Sequence, residues 1–296
     1  MIGSSRTLEI TTKIGCKPNM CEYCPQTLLM GEYKKTSNNE TYMSMETFTK
    51  CLKSVPSKVD IHFTGYVEPF LNPKTPEMVL HTFSRNHRIA INTTLMGLTK
   101  KKLNSIVHIP YKAFRVHLPS ATYKEKIGYH KKSVVEDGFT KTLNPAWIKM
   151  LDYVIEKNIH QVSYHCHGKL HEQLKDMGYL DKIRVKDTSL QSRVQNVGNL
   201  NKERNEKTKL SPEVSIRGNC IRVYHNVLLP SGQVQLCCQD YGLEMTIGNL
   251  LDNTLREIQT SEEFLNIVKH GHDICDYCDV GIRSISEEET WEEWRD

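Results

Sequence analysis

Eight of the ten cysteines in this 296-residue chain fall in two groups. Cys16, Cys21 and Cys24 lie within nine residues near the N-terminus; Cys220, Cys237, Cys238, Cys275 and Cys278 lie in the last third. Thiolates are soft donors, suited to zinc and to iron–sulfur clusters. Three on one short loop hold three corners of an iron–sulfur cube and leave the fourth iron with no protein ligand nearby. An open position is what a catalytic metal site needs. The same trio with a distant His would close a structural zinc site, and spacing alone leaves both chemistries open. Cys51 and Cys166 stand apart and read as buried thiols.

The elements that must position the trio alternate. Strand-like runs with period-two patterning occupy 8–13, 59–65, 88–93, 113–118, 161–166 and 182–186. Helical patterns lie between them. One begins at Ser44 with Met45, Phe48, Leu52 and Val55 as its stripe. A second opens at Thr75-Pro76, with Thr75 as cap, and runs through Val79 and Phe83. Thr99 caps a third over Leu103 and Ile106, and Asn144-Pro145 opens a fourth over Ile148, Leu151 and Ile155. Leu170, Leu174 and Met177 form a short fifth stopped by Gly178. Repeated βα units predict an α/β protein with a parallel sheet, and six units are too few for a closed eight-stranded barrel. Ligands in such folds sit at the C-terminal strand ends, where the trio follows the first strand.

Residues 201–210 are polar and read as a linker between a first domain, 1–200, and a second, 201–296. In the second, a hairpin turns at Pro230-Ser231-Gly232, residues 255–270 read as one amphipathic helix, and the acidic tail 287–296 reads as a solvated end. A net charge of +4 argues for neither nucleic acid nor membrane partners. No apolar run reaches the ~20 residues of a membrane helix, and the cysteine content is far below that of a disulfide scaffold, so a cytoplasmic protein is expected.

Cys16-x4-Cys21-x2-Cys24, with Tyr23 before the last cysteine and Pro25 after it, resembles the cluster loop of the radical S-adenosylmethionine (radical SAM) superfamily, which usually has three residues in the first gap. Further segments follow in the family's order. Gly65-Tyr66-Val67-Glu68-Pro69, after the second strand, resembles Gly-Gly-Glu-Pro without its second glycine; Asn92-Thr93-Thr94, after the third, resembles the Thr-Asn-Gly turn. Ser192-Arg193 to Gly198-Asn199 resembles Ser-Arg-Ala-Gly-Asn with three residues inserted. The resemblance implies a partial (β/α)6 TIM-like barrel. It also implies a 4Fe-4S cluster on Cys16, Cys21 and Cys24, and S-adenosylmethionine held by Tyr23, Gly65, Glu68, Asn92 and Arg193. Glu68 would take the ammonium and Arg193 the carboxylate by a bidentate fork. His117, His165 and His167 are candidates to line the same pocket, with polar lining as the plainer role for each.

The distal set resembles the SPASM or twitch extension of the same superfamily. Pro230 to Cys238, then Ile247-Gly248-Asn249-Leu250, then Cys275-x2-Cys278 carry the likeness. It implies a small C-terminal α+β iron–sulfur domain whose auxiliary 4Fe-4S cluster is closed by Cys220, Cys237, Cys275 and Cys278. Neighbours on a strand face opposite ways, so Cys237 and Cys238 do not both reach one metal; the family spacing after Gly232 favours Cys237. A zinc ribbon competes here.

The function implied is reductive cleavage of S-adenosylmethionine to a 5′-deoxyadenosyl radical that abstracts a substrate hydrogen, with the auxiliary cluster accepting an electron in an oxidation. An external donor such as flavodoxin or ferredoxin would supply electrons. The substrate is a small molecule or a peptide. The basic stretch 121–143, with Lys124, Lys126, His130, Lys131 and Lys132, either meets an acidic substrate or is a solvated loop. The segment before Cys16 is too short for a peptide-recognition domain. Two alternatives stand beside the oxidoreductase: a peptide- or protein-modifying enzyme using the same radical, and a non-enzymatic zinc-binding interaction protein.

Overall fold

The computed structural model describes residues 6–16, 21–36, 40–125, 127–128, 135–136, 139–140, 142–188, 190–191, 193–194, 196 and 220–278. The expected linker, the acidic tail, and Lys126 and His130 to Lys132 of the basic stretch lie outside them.

The period-two segments form β1 (Thr7–Ile10), β2 (Asp60–Phe63), β3 (Ile89–Thr93), β4 (Ala113–His117), β7 (Val162–Cys166) and β8 (Val185–Asp187). A two-stranded excursion, β5 (Val135–Glu136) and β6 (Phe139–Thr140), stands between β4 and β7. The last third adds β9 (His225–Leu228), β10 (Gln233–Gln235) and β11 (Thr246–Asn249). The main sheet runs β11-β10-β9-β1-β2-β3-β4-β7-β8. Its six strands from β1 to β8 are all parallel, and the sheet is open, as six βα units require. β9 pairs parallel with β1, Leu8 opposite Asn226 and Ile10 opposite Leu228. The C-terminal hairpin thus continues the barrel sheet.

The helices are α1 (Gln26–Thr36), α2 (Met45–Lys53), α3 (Thr75–Ser84), α4 (Lys100–Ile106), α5 (Pro145–Lys157), α6 (Glu172–Asp176), α7 (Tyr179–Lys182), α8 (Leu255–Thr260) and α9 (Glu262–His270). Ser44, Thr99 and Asn144 cap their helices as expected, each accepting from a backbone N–H of the first turn. Other boundaries differ. Thr75 is the first helical residue, not the cap: its hydroxyl donates to the Pro69 carbonyl, and Lys74 precedes the helix. Residues 255–270 are two helices, because Ser261 is extended and its hydroxyl accepts from Phe264 N–H to start the second. Thr254 and Glu257 form an unanticipated capping box on α8. Lys182 belongs to α7, while Phe83 and Met177 face solvent.

Alternation sorts the strands into two chemistries. Leu8, Ile10, Ile61, Phe63, Ile91, Phe114 and Val116 are fully buried in one core with Phe48, Leu52, Val79, Leu103 and Leu151 of the helices, each worth about 1.5–3 kcal/mol of transfer. The opposite face carries Glu9, His62, Asn92, Arg115, His117 and His165, all half-buried. A polar barrel interior results. Cys51 and Cys166 are fully buried in the core, as expected.

Candidate active site and cluster sites

A cavity of about 310 Å³ opens at the C-terminal ends of the parallel strands. Cys16, Cys21, Tyr23 and Cys24 line it from the loop after β1, Gly65 and Glu68 from the loop after β2, Asn92 from β3, and Arg193 from beyond β8. Every residue assigned to the first cluster and to S-adenosylmethionine therefore faces one cavity. The distribution follows from the fold, since each parallel strand delivers its following loop to the same end.

Gln26 holds the cysteine loop in place. It is the first residue of α1 and is 1% exposed. Its Oε1 accepts from Cys16 N–H at 3.2 Å, and its Nε2 donates to the Tyr66 carbonyl at 2.7 Å and to Cys24 Sγ at 3.4 Å. Gly65 has φ +57°, and a Cβ there would stand 2.2 Å from Thr11 Oγ1; the same hydroxyl accepts from Tyr66 N–H. Only glycine fits this turn.

Glu68 is 5% exposed and its two oxygens serve four donors of this chain. Oε1 accepts from Phe70 N–H at 3.1 Å and Thr93 Oγ1 at 2.8 Å; Oε2 accepts from the Thr94 N–H and from Thr94 Oγ1 at 2.7 Å. Burial pushes its carboxyl up, and the Thr94, Phe70 and Thr93 donors oppose this. The geometry makes Glu68 the tie between the loops after β2 and β3. Asn92 bridges Thr64 Oγ1 and Arg115, each at 3.2 Å.

A second polar group borders the trio. Tyr23 donates to Glu125 Oε1 at 2.8 Å, and His117 Nε2 lies 3.3 Å from the same oxygen. Glu125 comes from the basic stretch and is 5% exposed. His117 and His167 place their rings 4.5 Å apart, and His167 Nδ1–H donates to the Thr188 carbonyl at 2.7 Å. His165 also lines the cavity, and burial, reinforced by Arg115 and Lys186, lowers it to about 4. Arg193, with φ +54°, sets its guanidinium 5.6 Å above the Tyr241 ring. Burial opposes its charge, but Tyr241, Cys238, Cys24 and Glu9 outweigh this and hold its pKa above the usual value.

Burial pushes the Cys16 thiol up to about 12 and raises Cys21 and Cys24 as well. Ligation requires the thiolate, so a bound cation must offset that desolvation. The ten cysteines, all among the described residues, form no disulfide. Among the described residues, no three His, Cys, Asp or Glu side chains are arranged to hold a single metal ion.

The distal quartet meets elsewhere. Cys220, Cys237, Cys275 and Cys278 line one largely apolar pocket with Val194, Leu236, Ile267 and Ile274. Sulfur is its only side-chain donor set besides Arg222 and Gln239, which suits an iron–sulfur cluster. Cys238 faces the other way: Arg222 Nη1 and Gln239 Nε2 each lie 3.7 Å from its sulfur. Burial, with Glu9 beside it, raises that thiol to about 11. Burial also raises Glu9 to about 7, against the pull of Arg193 and Arg222.

Residues 220–279 match the SPASM family, an iron–sulfur cluster-binding domain. Three solved structures share the fold. BtrN in complex with AdoMet and 2-DOIA is 19% identical, with TM-score 0.56 and 97% of each chain covered. Streptococcus suis SuiB bound to precursor peptide SuiA is 13% identical, with TM-score 0.59, 94% of this chain and 72% of that one. Native anSMEcpe with bound AdoMet is 12% identical, with TM-score 0.55, 88% and 82%. The chain shares the fold of these three structures, and its residues 220–279 match the SPASM model. The matched residues include all five distal cysteines, Cys220, Cys237, Cys238, Cys275 and Cys278. No curated protein sequence matches the chain.

Sequence reasoning did not single out several cavity residues. Gln26 follows the Cys24-Pro25 step directly, and Arg115 shares the His117 face of β4 at period two, so both left a signal. Tyr241, and Glu125 which holds Tyr23 beside the cavity, left none, because only the folded chain brings them to the trio.

Proposed function

We propose that the chain is a radical SAM enzyme with one auxiliary cluster, acting as an oxidoreductase on a small polar substrate. One observation carries the reading: three cysteines open onto a roomy polar cavity while four others close around a separate apolar pocket. When bound, a cluster with one unligated iron supplies the electron that splits S-adenosylmethionine into methionine and a 5′-deoxyadenosyl radical able to take a substrate hydrogen. The protein's part is positioning and exclusion of water. Gln26 fixes the cysteine loop against the turn after β2. Glu68 fixes the turns after β2 and β3 against each other, so Gly65, Asn92 and Thr94 present one rigid wall. Arg193, a guanidinium fork at the cavity, suits a carboxylate. The auxiliary site, closed by four thiols, suits acceptance of an electron from the substrate radical, which is thereby oxidised, and a flavodoxin- or ferredoxin-type donor would reduce the first cluster.

Coverage of 97% in both directions with BtrN supports a small-molecule substrate. A peptide or protein substrate is the second reading, favoured by the likeness to SuiB bound to SuiA and to anSMEcpe with the Cp18Cys peptide. Among the described residues, no helix is long and apolar enough to cross a membrane. The test is anaerobic reconstitution with iron and sulfide. Two four-iron clusters give about eight irons per chain, and reduction in the presence of S-adenosylmethionine releases 5′-deoxyadenosine. Iron-free protein, or loaded protein that leaves the sulfonium intact, refutes the proposal.

A further inference from the structure

Tyr66 occupies the segment where this chain departs from Gly-Gly-Glu-Pro, and none of the roles above uses its side chain. It is 2% exposed. Its hydroxyl donates to the Cys237 carbonyl at 3.0 Å, across 171 positions of sequence. Its ring meets that of Tyr241 with centroids 4.8 Å apart and planes inclined at 65°. The Tyr241 hydroxyl in turn stands 3.9 Å from Cys24 Sγ. Both rings sit in a small apolar cluster with Ile14, Val67, Val227 and Leu229, which packs the cysteine loop against the SPASM domain. One side chain from the barrel and one from the SPASM domain thus complete a contact chain from a cysteine of the trio to a cysteine of the quartet.

We propose that Tyr66 and Tyr241 form the electronic bridge between the two cluster sites. The inference rests on the cofactor reading above and deepens it. Two edge-packed aromatic rings with a hydrogen bond at one end and a sulfur contact at the other couple electron donor and acceptor far better than a gap of equal length. One electron leaves the reduced auxiliary cluster, which is oxidised by one unit, and the first cluster is reduced by one. No bond forms or breaks and no proton moves. The phenols act as neutral spans and not as radical carriers. An electron taken from substrate would in this way return to the site where the next turnover needs it.

The test needs no substrate. Oxidised, reconstituted protein is irradiated in the frozen state, which injects electrons at both clusters, and is then annealed stepwise while electron paramagnetic resonance follows their redistribution between the two signals. In wild type the electrons gather on the cluster of higher potential. In Tyr66→Leu this redistribution is lost over the anneal that completes it in wild type, while iron content, both signals and the melting temperature are retained. Tyr66→Phe keeps the ring but loses the hydrogen bond to the Cys237 carbonyl, so it slows the redistribution without abolishing it; a role confined to the hydroxyl tie would impair Phe and Leu alike. Wild-type redistribution in Tyr66→Leu, or its equal loss in Tyr66→Phe, overturns the bridge. If Tyr66→Leu fails to load, Tyr241→Leu and Tyr241→Phe give the same contrast. Failure of the cofactor reading itself is seen earlier and separately, as missing iron in the wild-type protein, and it overturns the bridge with it.

Discussion

Replacing Glu68 by Gln tests whether this carboxylate binds a ligand or holds two loops together. In the structure each oxygen accepts from one backbone N–H and one hydroxyl. The Thr93 and Thr94 hydroxyls can turn and accept, but the Phe70 and Thr94 N–H groups cannot. Whichever way a Gln amide is seated, its NH2 faces one of those N–H groups. Two buried donors then lack acceptors, at about 1–3 kcal/mol each, a loss of about 2–6 kcal/mol. For a protein of this size each kcal/mol moves the melting temperature by roughly 2–4 °C, so Glu68→Gln should melt about 4–24 °C lower. The assay is calorimetry of the reconstituted protein, with S-adenosylmethionine binding titrated alongside. An unchanged melting temperature combined with lost cofactor binding would refute the argument and return Glu68 to the ammonium-holding role.

The pH dependence should carry a mark of Glu9. Its folded pKa of about 7 lies above the ordinary 4.5, so between these values the folded chain keeps a proton that the unfolded chain has released. The Glu9 contribution to stability therefore falls as pH rises through this window, by on the order of 3 kcal/mol. Glu9→Gln removes the dependence, and the variant's advantage in denaturant unfolding should grow from pH 4.5 to 7; parallel curves would sink the assignment. Cys237→Ala should cut the iron content from about eight to about four per chain, whereas Cys238→Ala should leave it whole, and the reverse pattern in iron and sulfide analysis would show that Cys238, and not Cys237, serves the distal site.

The βα alternation, the open six-stranded sheet and the two thiol sets were all legible in the sequence, because period-two and helical patterning, together with clustered cysteines, are local signals. Ser44, Thr99 and Asn144 announced their helices for the same reason. The break at Ser261 was harder to read, since apolar spacing persists through it and only the Ser261–Phe264 bond marks the new start. The parallel pairing of β9 with β1 joins residues more than two hundred positions apart, and no local pattern specifies such a partner. Glu68 shows the division most sharply. Its type and place in the motif suggested a cation ligand, and the structure adds that Phe70, Thr93 and Thr94 together donate four hydrogen bonds to it. The sequence by itself determined many of the residues that line the cavity and the distal pocket, and on which strand ends the first set stands. Only the tertiary structure decided which way Cys238 faces, what holds Glu68, and that Tyr66 meets Tyr241, because each is settled by a contact between segments distant along the chain.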